Sequence, residues 1–277
     1  MSIDLNDLPK SIQSEGAVLN TSVEFVQRRA KAREFKSARM AQVAMLPQQP
    51  KETPHYSIAA HSGAIDHVGG DFYNYFDLAN GQTATLIGDV SGSGVAAAMI
   101  MSMALESFVI RGASTNSPAN VMKLVSADMS GKLRRGKFLT AFYGVIDPIK
   151  HVFRYARAGH MPGILYNPID ESWQELGGQG IALGITRVQE FSDTIREYEV
   201  TVPPDSLLLL YTDGIAEAEN HLGEQFGAQR LGRALTQSAR LSAELAVDYI
   251  VDEMRKHTAN RPLNDDFALL VIKRLSR

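Results

Sequence analysis

The stretch Thr83-Ala84-Thr85-Leu86-Ile87-Gly88-Asp89-Val90-Ser91-Gly92-Ser93-Gly94-Val95 runs from an apolar, strand-like segment through an aspartate and a glycine-rich turn into the start of a helix. Three other segments follow the same logic. Val68-Gly69-Gly70-Asp71-Phe72-Tyr73, Leu210-Tyr211-Thr212-Asp213-Gly214 and Asn264-Asp265-Asp266-Phe267-Ala268 each set a carboxylate at the border of an apolar run, beside glycine or a second acid. Glycine there permits a tight turn or a close backbone approach. Aspartates at the tips of buried strands, far apart in sequence, can converge on one point. Such a cluster is costly unless positive charge sits inside it, and hard divalent cations suit carboxylate, carbonyl and water oxygens. Two such ions about 3.5–4 Å apart activate a water and neutralise an anion under attack. Taken singly, each segment is ordinary: Asp213-Gly214 is a common turn pair, and Asp265-Asp266 alone reads as a solvated loop. Their joint occurrence points to a metal-centred hydrolytic site.

Around these segments the chain alternates from Lys51 onward. The patterning predicts strands at Tyr56 to Ala60, Asp71 to Asp77 and Thr83 to Val90, then a helix from Val95 to about Arg111. Ser117-Pro118 opens a second helix, with Pro118 suited to its first turn and Val121, Leu124, Val125 and Met129 on one face. Further strands are expected at Thr140 to Ile146, Val152 to Ala156, Gly163 to Tyr166, Tyr198 to Val202, Leu207 to Tyr211 and Phe267 to Ile272. Helices are expected at Ala228 to Thr236 and Ala243 to His257. Strand groups and helix pairs in separate blocks indicate an α+β fold, with antiparallel sheets packed face to face and helices outside.

Residues 1–50 differ in character from residues 51–277 and are read as an N-terminal helical linker or regulatory segment. Leu19, Val23, Val26 and Ala30 follow the spacing of a short amphipathic or coiled-coil helix, and the apolar register then shifts to Phe35, Ala38, Ala41 and Met45 before Pro47. Arg28, Arg29, Lys31, Arg33, Lys36 and Arg39 crowd the same helix. They form either a solvated face or a linker helix that pairs with a partner or a second copy of itself.

Bulk composition bounds the function. At 277 residues, 44% hydrophobic and 21% charged, the chain is an ordinary globular sequence with a net charge of -3. That balance gives no reason to expect nucleic acid and leaves room for an anionic substrate bound through metal. With no cysteine, disulfides, thiolate metal sites and cysteine nucleophiles are all excluded. The longest apolar stretch, Gly94 to Leu105, falls short of the roughly 20 residues of a membrane span, and Met1-Ser2-Ile3-Asp4 lacks the blocks of a signal peptide. The expectation is a cytoplasmic protein, or the cytoplasmic part of a larger membrane-attached receptor.

Six motifs in order carry a resemblance. Gly69-Gly70-Asp71-Phe72-Tyr73, Gly88 to Ala97, Phe138-Leu139-Thr140-Ala141, Ala158-Gly159-His160-Met161-Pro162, Tyr211 to Ala218 and Asp265-Asp266 resemble the successive motifs of SpoIIE-type metal-dependent serine/threonine protein phosphatases, bacterial relatives of the type-two-C enzymes. The resemblance covers residues 55 to 275, and Ala38 to Pro47 resembles the linker joining such domains to an upstream sensor. It implies a sandwich of two antiparallel sheets flanked by helix pairs and a centre of two manganese or magnesium ions. Carried over, Asp89 bridges both ions and the Val90 carbonyl binds one. Asp71, Asp213 and Asp265 complete the shells, with Asp266 second in rank; Asp89 and Asp71 are the catalytic candidates. Water activated there attacks phosphorus in line and releases the Ser or Thr hydroxyl without a covalent phosphoenzyme. The implied substrate is a phosphorylated STAS-like (SpoIIAA-like) regulatory protein in a partner-switching circuit, with homodimerisation through the N-terminal helix.

The chain departs from the family in places. Ser93 stands where many relatives have histidine, and it is read as shaping the turn rather than binding metal. Ala64-Ile65-Asp66-His67-Val68 carries no arginine or lysine ahead of the first aspartate, which leaves the phosphate-binding residue and the general acid unassigned. His67 and His160 read as solvated or turn-stabilising. No Gly-Lys-Ser/Thr follows the Gly88 to Gly94 glycines, so a nucleotide P-loop is not supported. Two other functions compete: a silent phosphatase-fold module that sequesters a regulator, and a metal-dependent nuclease, disfavoured by the near-neutral catalytic region.

Overall fold

The apolar runs pair into two antiparallel sheets because most of their strands are covered on both faces. The computed structural model describes residues 10–63, 68–79, 81–133 and 136–276, and its described side chains begin at residue 28. In chain order the elements are α1 (Lys10–Met45), β1 (Lys51–Glu52), β2 (Tyr56–Gly63), β3 (Phe72–Asp77), β4 (Thr83–Val90), α2 (Gly94–Ser114) and α3 (Pro118–Met129). There follow β5 (Leu139–Asp147), β6 (Val152–Ala158), β7 (Gly163–Asn167), β8 (Ser172–Leu176), α4 (Val188–Thr194), β9 (Tyr198–Thr201) and β10 (Leu207–Tyr211). The last are α5 (Asp213–Ala216), α6 (Gly227–Gln237), α7 (Ala243–His257) and β11 (Phe267–Arg274).

One sheet has the order β1-β2-β11-β10-β7-β8 and the other β3-β4-β5-β6-β9. In β10, Leu208 and Leu210 join the core between the sheets, while Leu207, Leu209 and Tyr211 pack in a second core under α6 and α7. In β11, Ala268, Leu270 and Ile272 face the first core, and Phe267, Leu269 and Val271 face the second. The period of two splits each run between two apolar layers, which is why neither strand shows a polar face. Helices α2 and α3 cover the other sheet through β3 to β6. The result is the expected α+β sandwich, layered helix, sheet, sheet, helix.

Helix α2 is longer than the sequence reading, 21 residues from Gly94, and is long and apolar enough by composition to cross a membrane. Here Ala97, Ile100, Met101, Ala104, Leu105, Phe108 and Gly112 form its buried stripe, so it serves as an outer layer of the sandwich. Helix α3 starts as expected at Pro118, with the Ser117 hydroxyl accepting from the Asn120 N–H at 3.4 Å. Strands β1 and β8 and helices α4 and α5 were not anticipated.

By contacts the chain divides into two compact units, residues 1–41 and 42–277. Within the first, Arg28 to Glu34 are exposed; Leu19, Val23 and Val26 of the expected seam lie outside the described side chains. In the second, the end of α1 corrects the expected register. Met45 is exposed, as is Ala41 at the boundary, while Gln42 and Leu46 are buried. Gln42 is a clamp: its Nε2 donates to the Gly69 carbonyl at 2.6 Å and its Oε1 accepts from the Gly69 N–H at 3.1 Å. Tyr73 and Tyr75 fasten the segment that follows, donating to the carbonyls of Pro47 and Gln49 at 3.1 and 2.6 Å.

Removing the Gln42 amide leaves the buried Gly69 N–H and carbonyl without that partner, at a cost of about 1–3 kcal/mol. Urea unfolding of Gln42→Ala is expected to show that loss at an unchanged m-value; an unaltered midpoint would contradict the clamp.

Candidate functional site

Four strand ends meet at one end of the sandwich: the start of β3 and end of β4 in one sheet, and the end of β10 and start of β11 in the other. Register fixes each pair. Phe72 lies opposite Gly88, so Asp71 emerges beside Asp89, and Asp89 lies opposite Thr140 on β5. Tyr211 lies opposite Leu269, and the ladder continues with the Thr212 N–H donating to the Ala268 carbonyl at 3.0 Å. Asp213 therefore leaves β10 where Asp265 and Asp266 enter β11.

Thr212 joins the two sheets. Its Oγ1 donates to Asp71 Oδ2 at 2.6 Å and accepts from the Ala268 N–H at 2.8 Å. Glycines allow the remaining approach. A Cβ on Gly70 would fall 2.6 Å from the Val90 carbonyl oxygen and 3.4 Å from Asp89 Oδ1. One on Gly69 would fall 1.9 Å from Asp266 Oδ2. At Gly70 the obstacle is backbone, so that position does not tolerate a side chain, whereas at Gly69 a side chain would displace the Asp266 carboxylate.

The electrostatics show the same convergence. Burial pushes the Asp71 carboxyl well above the usual range, and the Asp89 charge adds to this while the Thr212 hydroxyl opposes it. Asp89 is pushed up to about 6, first by burial, with a hydrogen bond to Asp71 opposing and the charges of Asp213, Asp265 and Asp266 raising it further. Asp213 is raised by burial and by Asp265, against the Gly214 N–H. All five aspartates singled out from the sequence thus act on one another. Asp71 and Asp266 are buried, Asp89 and Asp213 half-buried, and Asp265 exposed.

The carboxylates do not form a finished chelate as placed: among the described residues no group of three His, Asp or Glu side chains has metal-holding geometry. Asp71 and Asp89 instead lie close enough for the Asp89 charge to push the Asp71 carboxyl up. The mutual fields and the glycine contacts, rather than a ready cage, are what place them together. The donor set still fits a hard divalent ion: carboxylate oxygens plus the Val90 carbonyl, turned toward Gly70, with no nitrogen or sulfur.

Several supporting residues were missed in the sequence. Thr212 and Thr140 look like ordinary strand and turn threonines there. His160, read as solvated or turn-stabilising, is buried, with Nδ1 2.8 Å from the Thr140 hydroxyl opposite Asp89. Burial, helped by the Arg157 charge, lowers it to about 3, so it stays neutral. Arg157 donates to the His160 and Gly178 carbonyls. Ser93 is the N-cap residue of α2, exposed and without a side-chain capping bond. His67 lies outside the described residues.

Comparisons with known proteins show the family and the fold. The family model described as Stage II sporulation protein E (SpoIIE) matches residues 79–275. Phosphoserine phosphatase RsbU of Bacillus subtilis (strain 168) is 28% identical over 247 residues, covering 87% of this chain and 70% of that protein. Phosphoserine phosphatase RsbP of the same organism is 28% identical over 193 residues, 67% of this chain and 45% of that protein. Among solved structures, the SiaA-PP2C domain of Pseudomonas aeruginosa has a TM-score of 0.76 at 21% identity, covering 89% of this chain and 98% of that one. The last likeness speaks for the fold.

Raised carboxyls have a definite pH signature. Below about pH 4, Asp89 is protonated in both folded and unfolded chains and contributes no difference. Between there and the folded value of about 6, the unfolded chain ionises first, so the contribution to stability falls as pH rises, by roughly 3 kcal/mol for two pH units. In EDTA, Asp89→Asn is expected to match the wild type near pH 4 and to exceed it in thermal midpoint at pH 7.5. A difference that does not change with pH would contradict the cluster.

Proposed function

This chain belongs to the SpoIIE family, and on that premise we propose that it is a metal-dependent phosphatase acting on phosphoserine or phosphothreonine in a protein. The observation that carries the reading is the meeting of Asp71, Asp89, Asp213 and Asp265 across two sheets, tied by the Thr212 to Asp71 hydrogen bond. The phosphoserine phosphatases RsbU and RsbP, related over most of this chain, support the substrate class.

Asp71, Asp89, Asp213, Asp265 and the Val90 carbonyl are the groups that would hold two magnesium or manganese ions. When bound, such ions neutralise phosphate charge and lower the pKa of a coordinated water. The chain's own contribution is placement. Thr212 fixes the Asp71 carboxylate, leaving its second oxygen for a ligand. The half-buried setting of Asp89 strengthens its hold on any cation by limiting screening. His160, neutral and bonded to Thr140, braces the strand opposite Asp89 without adding a competing charge. In the hydrolysis water supplies the new oxygen on phosphorus, the ester bond breaks, and the Ser or Thr hydroxyl is restored.

For the substrate protein we assign a phosphorylated STAS-like regulator of a partner-switching circuit. The N-terminal helix, with Arg28, Arg29, Lys31 and Arg33 exposed, we assign to pairing with a second copy.

Turnover of p-nitrophenyl phosphate is expected with manganese and not in EDTA, and Asp89→Ala is expected to lose about 100-fold or more in kcat, in keeping with the several kcal/mol a metal centre supplies. No manganese-dependent turnover on that compound or on any phosphoprotein would contradict the reading and leave a phosphatase-fold binding module.

A further inference from the structure

Directly beyond Asp89 and Val90, Ser91 is held at every polar atom. Its N–H donates to the Phe138 carbonyl at 3.0 Å, its Oγ accepts from the Phe138 N–H at 2.9 Å, and its carbonyl accepts from Lys137 Nζ at 2.9 Å. The lysine reaches across the turn so closely that a Cβ on Gly92 would fall 2.2 Å from Nζ. Gly92 also sits at φ +89, where a side chain would be strained. The positive φ calls for glycine, a Cβ there would also push the Lys137 ammonium aside, and glycine brings freedom to rotate the adjoining peptides. The peptide planes at risk are those next to the Val90 carbonyl.

We propose that Lys137 is a positioning residue for the metal-binding edge: by gripping the Ser91 carbonyl it stiffens the Ser91–Gly92 turn and keeps the Val90 carbonyl aimed at the ions. The inference rests on the proposed metal-dependent reading. Lys137 itself is anchored. Two residues on, Leu139 exchanges hydrogen bonds with Leu183 at 3.0 and 2.9 Å, and a Cβ on Gly184 would fall 3.1 Å from the Lys137 carbonyl oxygen. The grip is therefore set against a rigid wall, and the side chain is half-buried rather than waving in solvent. Its ammonium is also committed to a backbone oxygen, so its role is to hold a ligand group rather than to touch the phosphate. Arginine keeps the charge and can still reach a carbonyl, whereas methionine keeps the stem and loses the donor.

The test is calorimetric titration of MnCl2 into the full chain after EDTA treatment and dialysis, for wild type, Lys137→Met and Lys137→Arg. Lys137→Met is expected to weaken Mn2+ binding by about 10-fold or more, and Lys137→Arg by no more than about 3-fold, the range typical of residues that orient ligands. The thermal midpoint of the metal-free protein is expected to stay within roughly 2 °C in both variants, because a turn contact is a small part of the unfolding enthalpy. Unchanged Mn2+ affinity in Lys137→Met overturns the inference and leaves the phosphatase reading intact. So does a fall in the metal-free midpoint that accounts for the weaker binding. Absence of Mn2+ binding by the wild type overturns both.

Discussion

Repulsion between buried carboxylates is the constraint on which this structure turns. Asp71 is 8% exposed and lies in the field of Asp89, with three further acids acting on that pair. A fold that served only stability would replace such a group with apolar residues, since unpaired buried charge costs several kcal/mol. Among the described residues, the leading influences on the Asp71 and Asp89 carboxyls are burial, the other aspartates and the Thr212 hydroxyl. The balance must be restored by protons or by cations from outside. Of these, hard divalent cations match the all-oxygen donor set.

The scaffold sustains this arrangement from both sides. Each sheet delivers adjacent strand ends, so the acids arrive in pairs, Asp71 with Asp89 and Asp213 with Asp265 and Asp266. Thr212 then couples the pairs, since one hydroxyl serves both the Asp71 carboxylate and the β11 backbone. Gln42 holds Gly69, the residue whose missing side chain makes room for Asp266. A change in the chain near Gln42 thus has a direct route of contacts to the acid cluster, through three hydrogen-bonded or touching residues rather than through distant strain.

Much of this was legible in the sequence, for physical reasons that differ by element. Leu207 to Tyr211 and Ala243 to His257 were bounded correctly because one is an unbroken apolar run and the other has Ser242 as a cap and basic residues in its last turn. The acids were legible as a set because each borders such a run. Strand β8 was not, since Trp173 and Leu176 are the only large apolar residues in an otherwise exposed edge. The buried face of α1 escaped because its key residue, Gln42, is polar and is buried for its hydrogen bonds. His160 misled for the same reason: a loop histidine carries no mark of the threonine that awaits it. Lys137 lies in the basic run Lys132 to Lys137 and looks like a solvated loop until the turn at Gly92 is seen beneath it.

The central claim is that these aspartates exist to hold cations. Equilibrium dialysis of the EDTA-treated chain against Mn2+, with bound metal counted by atomic emission, tests it without reference to any substrate. The account predicts two ions bound per wild-type chain, with at least one lost in Asp89→Ala. A wild type that retains no more Mn2+ than the variant would contradict it.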